Sequence, residues 1–337
     1  MSKLVGVISW VFGEFRAVRL QRGKVVAVYH AAETVDSLAG FAEAVSTAHA
    51  ALALPSGPIA IVFANDDSGH LSFEAPPTSA ADLERMVARR VEADKSFSEP
   101  AAWTYRAIAD ERAQTGRTVL LHLAPKRLVD AMIRICEEHF LQVRSIVPLA
   151  ELVARMAQPA CTTPQDVVLA TVVLRERAML CVVFARTVVI GEHDSPDERV
   201  LLETNRTALF AKQKIGKSID ATCIFALDGE MPARVGASFE MPLREVAVDD
   251  SEFTWARGAA KVDLSVLGNL VPRFRQRALS QRALTRAAML ATAVMWVVAL
   301  ASVAWVTQFN ARVANRGGLA LAALPALEAE SAQLDTD

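Results

Sequence analysis

Short apolar runs of strand length alternate with longer segments whose apolar positions recur every three or four residues. KLVGVIS is an apolar, β-branched run, and EFRAVRLQRGKVVAVYHA reads as two further strands meeting at a turn at Arg22-Gly23. SLAGFAEAVSTAHAALA has helical spacing and stops before Pro55, and GPIAIVFA returns as a strand. HLSFEAPP is a strand ended by prolines, and Ser79 with Asp82 marks the N-terminus of the helix SAADLERMVARRVEAD. AWTYRAIAD and RTVLLHLAP are strands around a polar turn. In the helix KRLVDAMIRICEEHF, Val129, Met132, Ile133 and Cys136 share one face. VRSIVPLA and ELVARMA close this half as strand and helix.

QPACTTPQD is rich in turn formers and breakers and reads as the boundary between two halves. The pattern then restarts. VVLATVVL, AMLCVVFA and TVVIGEHD form a second meander, followed by the helix DERVLLETNRTALFAKQKI and the strand ATCIFALDG. Each half thus opens with about three strands and continues as alternating helix and strand, the mark of a duplicated α/β unit.

Residues 287–311 contain no charge, and 287–306 have only Thr292 and Ser302 as polar side chains. At about 1.5 Å per residue, roughly 20 such residues cross the ~30 Å hydrocarbon core of a bilayer. Arg273, Arg275, Arg277, Arg282 and Arg286 precede the stretch without an acid among them. Beyond it come Arg312 and Arg316, then Glu328, Glu330, Asp335 and Asp337. This bias predicts a single-pass membrane protein with its N-terminal side in the cytoplasm and a short outer tail. MSKLVGVISW lacks the apolar core of a signal peptide, which agrees with a cytoplasmic first domain.

Composition adds mainly exclusions. A net charge of −2 over 337 residues offers no nucleic-acid surface. Cys136, Cys161, Cys181 and Cys223 form no C-x-x-C, and His30, His49, His70, His122, His139 and His193 lack metal-ligand spacing. No metal or cofactor is expected. IGKS at 215–218 has Ala211 where a P-loop requires glycine, and a helix precedes it, so Gly216 reads as a helix cap. The acidic VDDSEF at 248–253 reads as a solvated loop.

The order of elements, with an α/β piece inserted in the first half, resembles the actin-like fold, a duplicated RNase H-like architecture. Within it the chain resembles the PilM family of type IV pilus platforms and the cytoplasmic domain of GspL from type II secretion. VGVISWVFGEFRAVRL, FEAPPTSAADLERMVARRVEAD, TVLLHLAPKRLVDAMIRICEEHFLQVRSIVPLAELVARM and ERVLLETNRTALFAKQKIGKSIDATCIFALDG carry the resemblance. GNLVPRFRQR resembles the segment that opens PilN-type partners, or the pre-membrane stretch of GspL. The implied organisation is a first lobe at 1–157 with an inserted subdomain and a reduced second lobe at 165–257. A basic juxtamembrane linker at 258–286, a membrane helix at 287–308 and a periplasmic tail at 309–337 follow.

An active member of the actin-like class carries an Asp and a Gly in each of two phosphate hairpins. Here Ile8 or Ser9 stands for the first Asp and Trp10 for its Gly; Ala170 or Thr171 stands for the second Asp and Leu174 for its Gly. Bulky side chains keep backbone away from phosphates, and a missing carboxylate removes a metal ligand. ALDGEM has one Gly where the family offers a pair.

The resemblance therefore implies a non-catalytic assembly-platform protein. Its implied partners are the assembly ATPase, GspM- or PilN/PilO-like membrane proteins, a GspF/PilC-like polytopic protein and a second copy of itself. Asn269, Leu270, Val271 and Pro272 form the expected docking segment, in the actin-like cleft of its own chain or on a neighbour; a plain linker with its arginines on lipid headgroups is the competing reading. The alternatives for the whole protein are an active actin-like ATP-binding protein, drawing metal ligands from Glu14 or Asp228, and a membrane-anchored signalling adaptor.

Overall fold

The computed structural model describes residues 4–94, 99–109, 116–163, 166–173, 177–184, 187–196, 200–226, 255–264 and 267–334. They fall into two units, Met1–Pro272 and Arg273–Asp337.

In the first unit, β1 (Gly6–Val11), β2 (Glu14–Gln21) and β3 (Lys24–His30) form an antiparallel meander. Both turns use left-handed backbone: Phe12 and Gly13 have φ of 45° and 83°, and Arg22 and Gly23 have 54° and 82°. Two consecutive positive φ values match the twist of a two-residue hairpin. The helix α1 (Leu38–Ala51) begins where the Ser37 hydroxyl accepts the Gly40 amide at 3.1 Å. The strands β4 (Gly57–Ala64) and β8 (Leu141–Pro148) then add in parallel, giving the order β3-β2-β1-β4-β8. All six residues of β1 are buried, as expected of a central strand covered on both faces.

Between β4 and β8 the chain builds a three-stranded antiparallel sheet, β5 (Gly69–Ala75), β7 (Arg117–Pro125) and β6 (Ala101–Ala109), in the order β5-β7-β6. It packs through Val119, Leu121 and Leu123 against Leu83 and Val87 of α2 (Ala80–Ala93). Ser79 caps α2 by accepting the Asp82 amide at 3.1 Å. The helix α3 (Lys126–Glu138) buries Val129, Met132, Ile133 and Cys136 on the sheet that also receives α1. β8 leads directly into α4 (Leu149–Met156).

The second half repeats the plan. β9 (Val168–Val173), β10 (Arg177–Phe184) and β11 (Thr187–Pro196) form a meander, α5 (Val200–Ile215) follows, and β12 (Ala221–Ala226) adds in parallel to β9. The order β11-β10-β9-β12 is the order of the first four strands of the larger sheet. Gly216 ends α5 at φ 73°, its amide bonded to Lys212 O at 2.9 Å, so IGKS is a helix C-terminus. β11 ends at Pro196 and α5 begins at Val200, leaving no room for a further subdomain. The segments ALDGEM beyond Ala226 and VDDSEF lie outside the described residues.

One core joins the halves. Val7, Val11, Val62 and Val147 of the first sheet meet Val168, Ala170, Val172 and Phe225 of the second, with α4 and α6 (Trp255–Ala260) contributing Leu152, Val153, Trp255 and Ala256. The expected linker at 258–286 is corrected here. Ala259, Leu264, Leu270 and Val271 are all buried, so the folded body continues to Pro272. Those apolar positions are too few and too irregularly spaced to display a helix or strand period, which is why they read as linker.

The second unit is α7 (Arg273–Leu334), 62 residues with Pro325 inside it. Its stretch Ala288–Pro325 contains an 18-residue window with a mean hydropathy of 2.1 and is long and apolar enough to cross a membrane. Thirty-eight helical residues rise roughly 57 Å, well beyond the ~30 Å of a hydrocarbon core. The expected span at 287–308 lies within this helix, and the expected tail from 309 onward continues it to Leu334.

Candidate docking site and phosphate hairpins

Ile8, Ser9 and Trp10 lie within β1, and the hairpin tip is Phe12-Gly13, two residues beyond Trp10. Trp10 is part of the core: its indole N–H donates to Val35 O at 2.7 Å, and its ring stacks on Phe41 at 4.7 Å. The Phe12 amide bonds to Ala64 O at 2.8 Å, and Gly13 O accepts the Val35 amide at 2.8 Å. These groups are engaged with the chain itself. In the second hairpin, Ala170 faces the core between the sheets and Thr171 is buried in β9; Leu174 lies outside the described residues.

Beside the first hairpin opens a cavity of about 970 Å³. Its walls include Glu14, Glu33, Asp36, Asp66 and Asp67, together with Arg127. A lining of this charge repels polyphosphate. Glu14 stands 3.8 Å from Arg16 in a partly shielded ion pair. Among the described residues, no group of three or more His, Cys, Asp or Glu is placed to hold a metal ion.

The segment 268–272 forms a strap along β8, the end strand of the larger sheet. The Leu270 amide donates to Ile146 O at 2.9 Å, and the Ile146 amide donates to Asn269 Oδ1 at 3.0 Å. Asn269 Nδ2 donates to Arg144 O at 3.2 Å, and the same Oδ1 accepts the Val271 amide at 3.0 Å. An asparagine suits this place because it offers acceptor and donor together on a short arm. Leu270 and Val271 insert into the core layer between the larger sheet and the helices α1 and α3. The strap therefore engages its own chain at the β8 edge, with Leu270 and Val271 in the layer of α1 and α3 rather than in the core shared by the lobes. The expectation of the inter-lobe cleft is corrected to that extent. An open edge strand offers unpaired amides and carbonyls, and the strap covers them.

The strap's other side touches the inserted sheet and α4. The Asn269 amide donates to Thr104 Oγ1 on β6 at 3.1 Å, and the Gly268 amide to Glu151 Oε2 on α4 at 3.3 Å. A Cβ at Gly268 would come within 2.9 Å of Thr104 Cγ2, so only glycine fits without displacement. Glu151, 3% exposed, also binds Arg106 through both oxygens, at 2.5 and 3.3 Å, and lies 3.4 Å from His122 Nε2. Burial alone would raise its pKa. The hydrogen bonds and charges of His122 and Arg106 outweigh burial and hold it at about 2. Sequence reading missed Thr104, Gly268 and Glu151. The available signal was a lone acid in the apolar PLAELVARM.

Arg273, Arg275, Arg277, Arg282 and Arg286 fall on the first turns of α7. Cations at a helix N-terminus oppose the helix dipole, so helix stability does not explain them.

No protein-family model and no curated protein matches this chain. Among solved structures it is similar to the PilM-PilN type IV pilus biogenesis complex, at 11% identity and a TM-score of 0.58, over 72% of this chain and 87% of that one. It is likewise similar to the cytoplasmic domain of EpsL, an inner membrane component of the type II secretion system of Vibrio cholerae. There the identity is 12% and the TM-score 0.51, over 79% of this chain and 97% of that one. The likeness is one of fold. The body is actin-like, as its repeated strand order already implies.

Proposed function

From an actin-like body joined to one helix of membrane length, we propose a non-catalytic assembly-platform protein of a type II secretion or type IV pilus machine. The observation that carries this reading is the fold shared with the PilM-PilN complex and the EpsL cytoplasmic domain, followed in the chain by an apolar helix of membrane length. The body is a cytoplasmic docking surface for the assembly ATPase, for GspM- or PilN/PilO-like proteins and for a GspF/PilC-like polytopic protein. The arginines before the helix face anionic lipid on the cytoplasmic side, and the C-terminus is periplasmic. A second copy pairs along the helix.

Three features support a body without ATP turnover: Trp10 is committed to the core, the first hairpin's amide is bonded internally, and the adjoining cavity is acidic. Asn269–Pro272 acts as a docking segment engaged in cis, so the groove at β8 is filled without a separate chain.

The test is co-purification from native membranes of the tagged full chain, followed by titration with Mg-ATP in detergent. Recovery of a hexameric assembly ATPase, with no heat of binding at millimolar nucleotide, is the expected outcome. Stoichiometric ATP binding, or a sensor kinase in place of the assembly ATPase, would overturn it.

A further inference from the structure

Three segments converge on one buried carboxylate carried by a fourth. Glu151 is a buried residue of α4, whose neighbours Ala150 and Leu152 belong to the core shared by the lobes. Arg106 and His122 reach it from β6 and β7 of the inserted sheet, and Gly268 from the strap that runs into α7. His122 is in turn 3.4 Å from His70 on β5, Nδ1 to Nδ1. Thr104, two residues from Arg106 on the same strand, accepts the Asn269 amide. The inserted sheet thus holds the strap twice, directly through Thr104 and indirectly through the carboxylate.

We infer that Glu151 is a latch by which the inserted sheet controls whether the membrane-proximal strap stays on β8. The physical reason is the cost of a buried charge. With Arg106 and His122 in place, the carboxylate is neutralised and oriented, and one oxygen is fixed to receive the Gly268 amide. If the inserted sheet turns away, the carboxylate loses its cation, and a buried charge left with only a backbone amide is costly to keep in place. The strap's hold then weakens at Gly268 and Asn269 together. Linkage makes the effect reciprocal: pulling the strap off β8 removes a partner from Glu151 and one from Thr104, loosening β6.

A load on α7 and a partner on the inserted sheet therefore act on one equilibrium. This coupling does not depend on the platform role, because every group in it belongs to this chain.

The experiment is amide hydrogen exchange on the full chain in detergent at neutral pH, comparing the parent with Arg106→Gln. Arg106 bonds Glu151 through both oxygens and its side chain is one-third exposed, so Arg106→Gln removes the cation and leaves the strap's own hydrogen bonds to β8 in place. Exchange at 268–271 should accelerate by roughly 5–150-fold, the usual range of such couplings, while β1 is unchanged. Arg106→Lys, which keeps the charge, should restore part of the protection. Acceleration confined to β6, with the strap at parent rates, would overturn the latch.

Asn269→Ala supplies the reverse arm, read at β6 and β7. It also decides alone if Arg106→Gln loosens β1 as well. Acceleration there by a similar factor supports the latch, and parent rates at β6 and β7 overturn it.

Discussion

Asn269 and Ile146 stand 123 positions apart in the chain, and the Asn269 side chain receives the Ile146 amide at 3.0 Å. That one carboxamide completes the edge of a five-stranded sheet. It bonds both to β8 and to its own strap, where a backbone strand would have needed several residues.

Asn269→Ala leaves the Ile146 amide and Arg144 carbonyl without these partners. The body should lose about 2 kcal/mol of stability, read as a lower urea midpoint with an unchanged slope. A midpoint equal to the parent's would mean that water replaces the side chain at no cost.

Leu270→Ala tests the strap's apolar side. Leu270 is 3% exposed in the layer with Ile146 and Val143, and truncation should cost roughly 2–5 kcal/mol. A segment that merely links body to helix would show a change near zero.

The docking reading has its own assay. A fluorescent peptide, GNLVPRFRQR, should bind a body that ends before Gly268 and fail to bind one that retains its strap. Equal binding to both bodies, or binding to neither, contradicts cis engagement.

Trp10→Gly inserts the glycine that an actin-like phosphate hairpin carries. Because Trp10 packs on Phe41 and Phe63, the outcome should be a loss of roughly 3–5 kcal/mol with no gain of Mg-ATP binding. Thermal shift with and without nucleotide separates these. Stabilisation of the variant by nucleotide would contradict the non-catalytic reading.

Glu151 also sets an acid limit. Its folded pKa of about 2 lies below the ordinary glutamate value near 4.3. The stability it confers is fully present above the unfolded value and is lost as pH falls from about 4.3 toward 2. Glu151→Gln should flatten the stability profile in that window and leave its shape above pH 5 unchanged. An unaltered acid limb would assign the loss to other carboxylates.

Strand and helix positions from 4 to 226 were legible because each element carries its own period. Alternation in KVVAVYH, the capping pair Ser79 and Asp82, and the apolar face of KRLVDAMIRICEEHF are local signals written within one element. The apolar helix was equally legible, since hydrocarbon admits few charges whatever else the chain does. The residue identities of β1 were visible in the sequence, but not that Trp10 is committed to Phe41 and Val35, which alignment of a motif cannot reveal.

What only folding decided lies where distant segments meet. Ala259, Leu264, Leu270 and Val271 have no period and read as linker, yet Ala259 and Leu264 enter the core between the two sheets, while Leu270 and Val271 fill the apolar layer beside β8, α1 and α3. Glu151 looked like one acid among many until Arg106, His122 and Gly268 closed around it. Local propensity is a property of neighbours in sequence. The pairing of a buried charge, or the covering of a sheet edge, depends on neighbours in space.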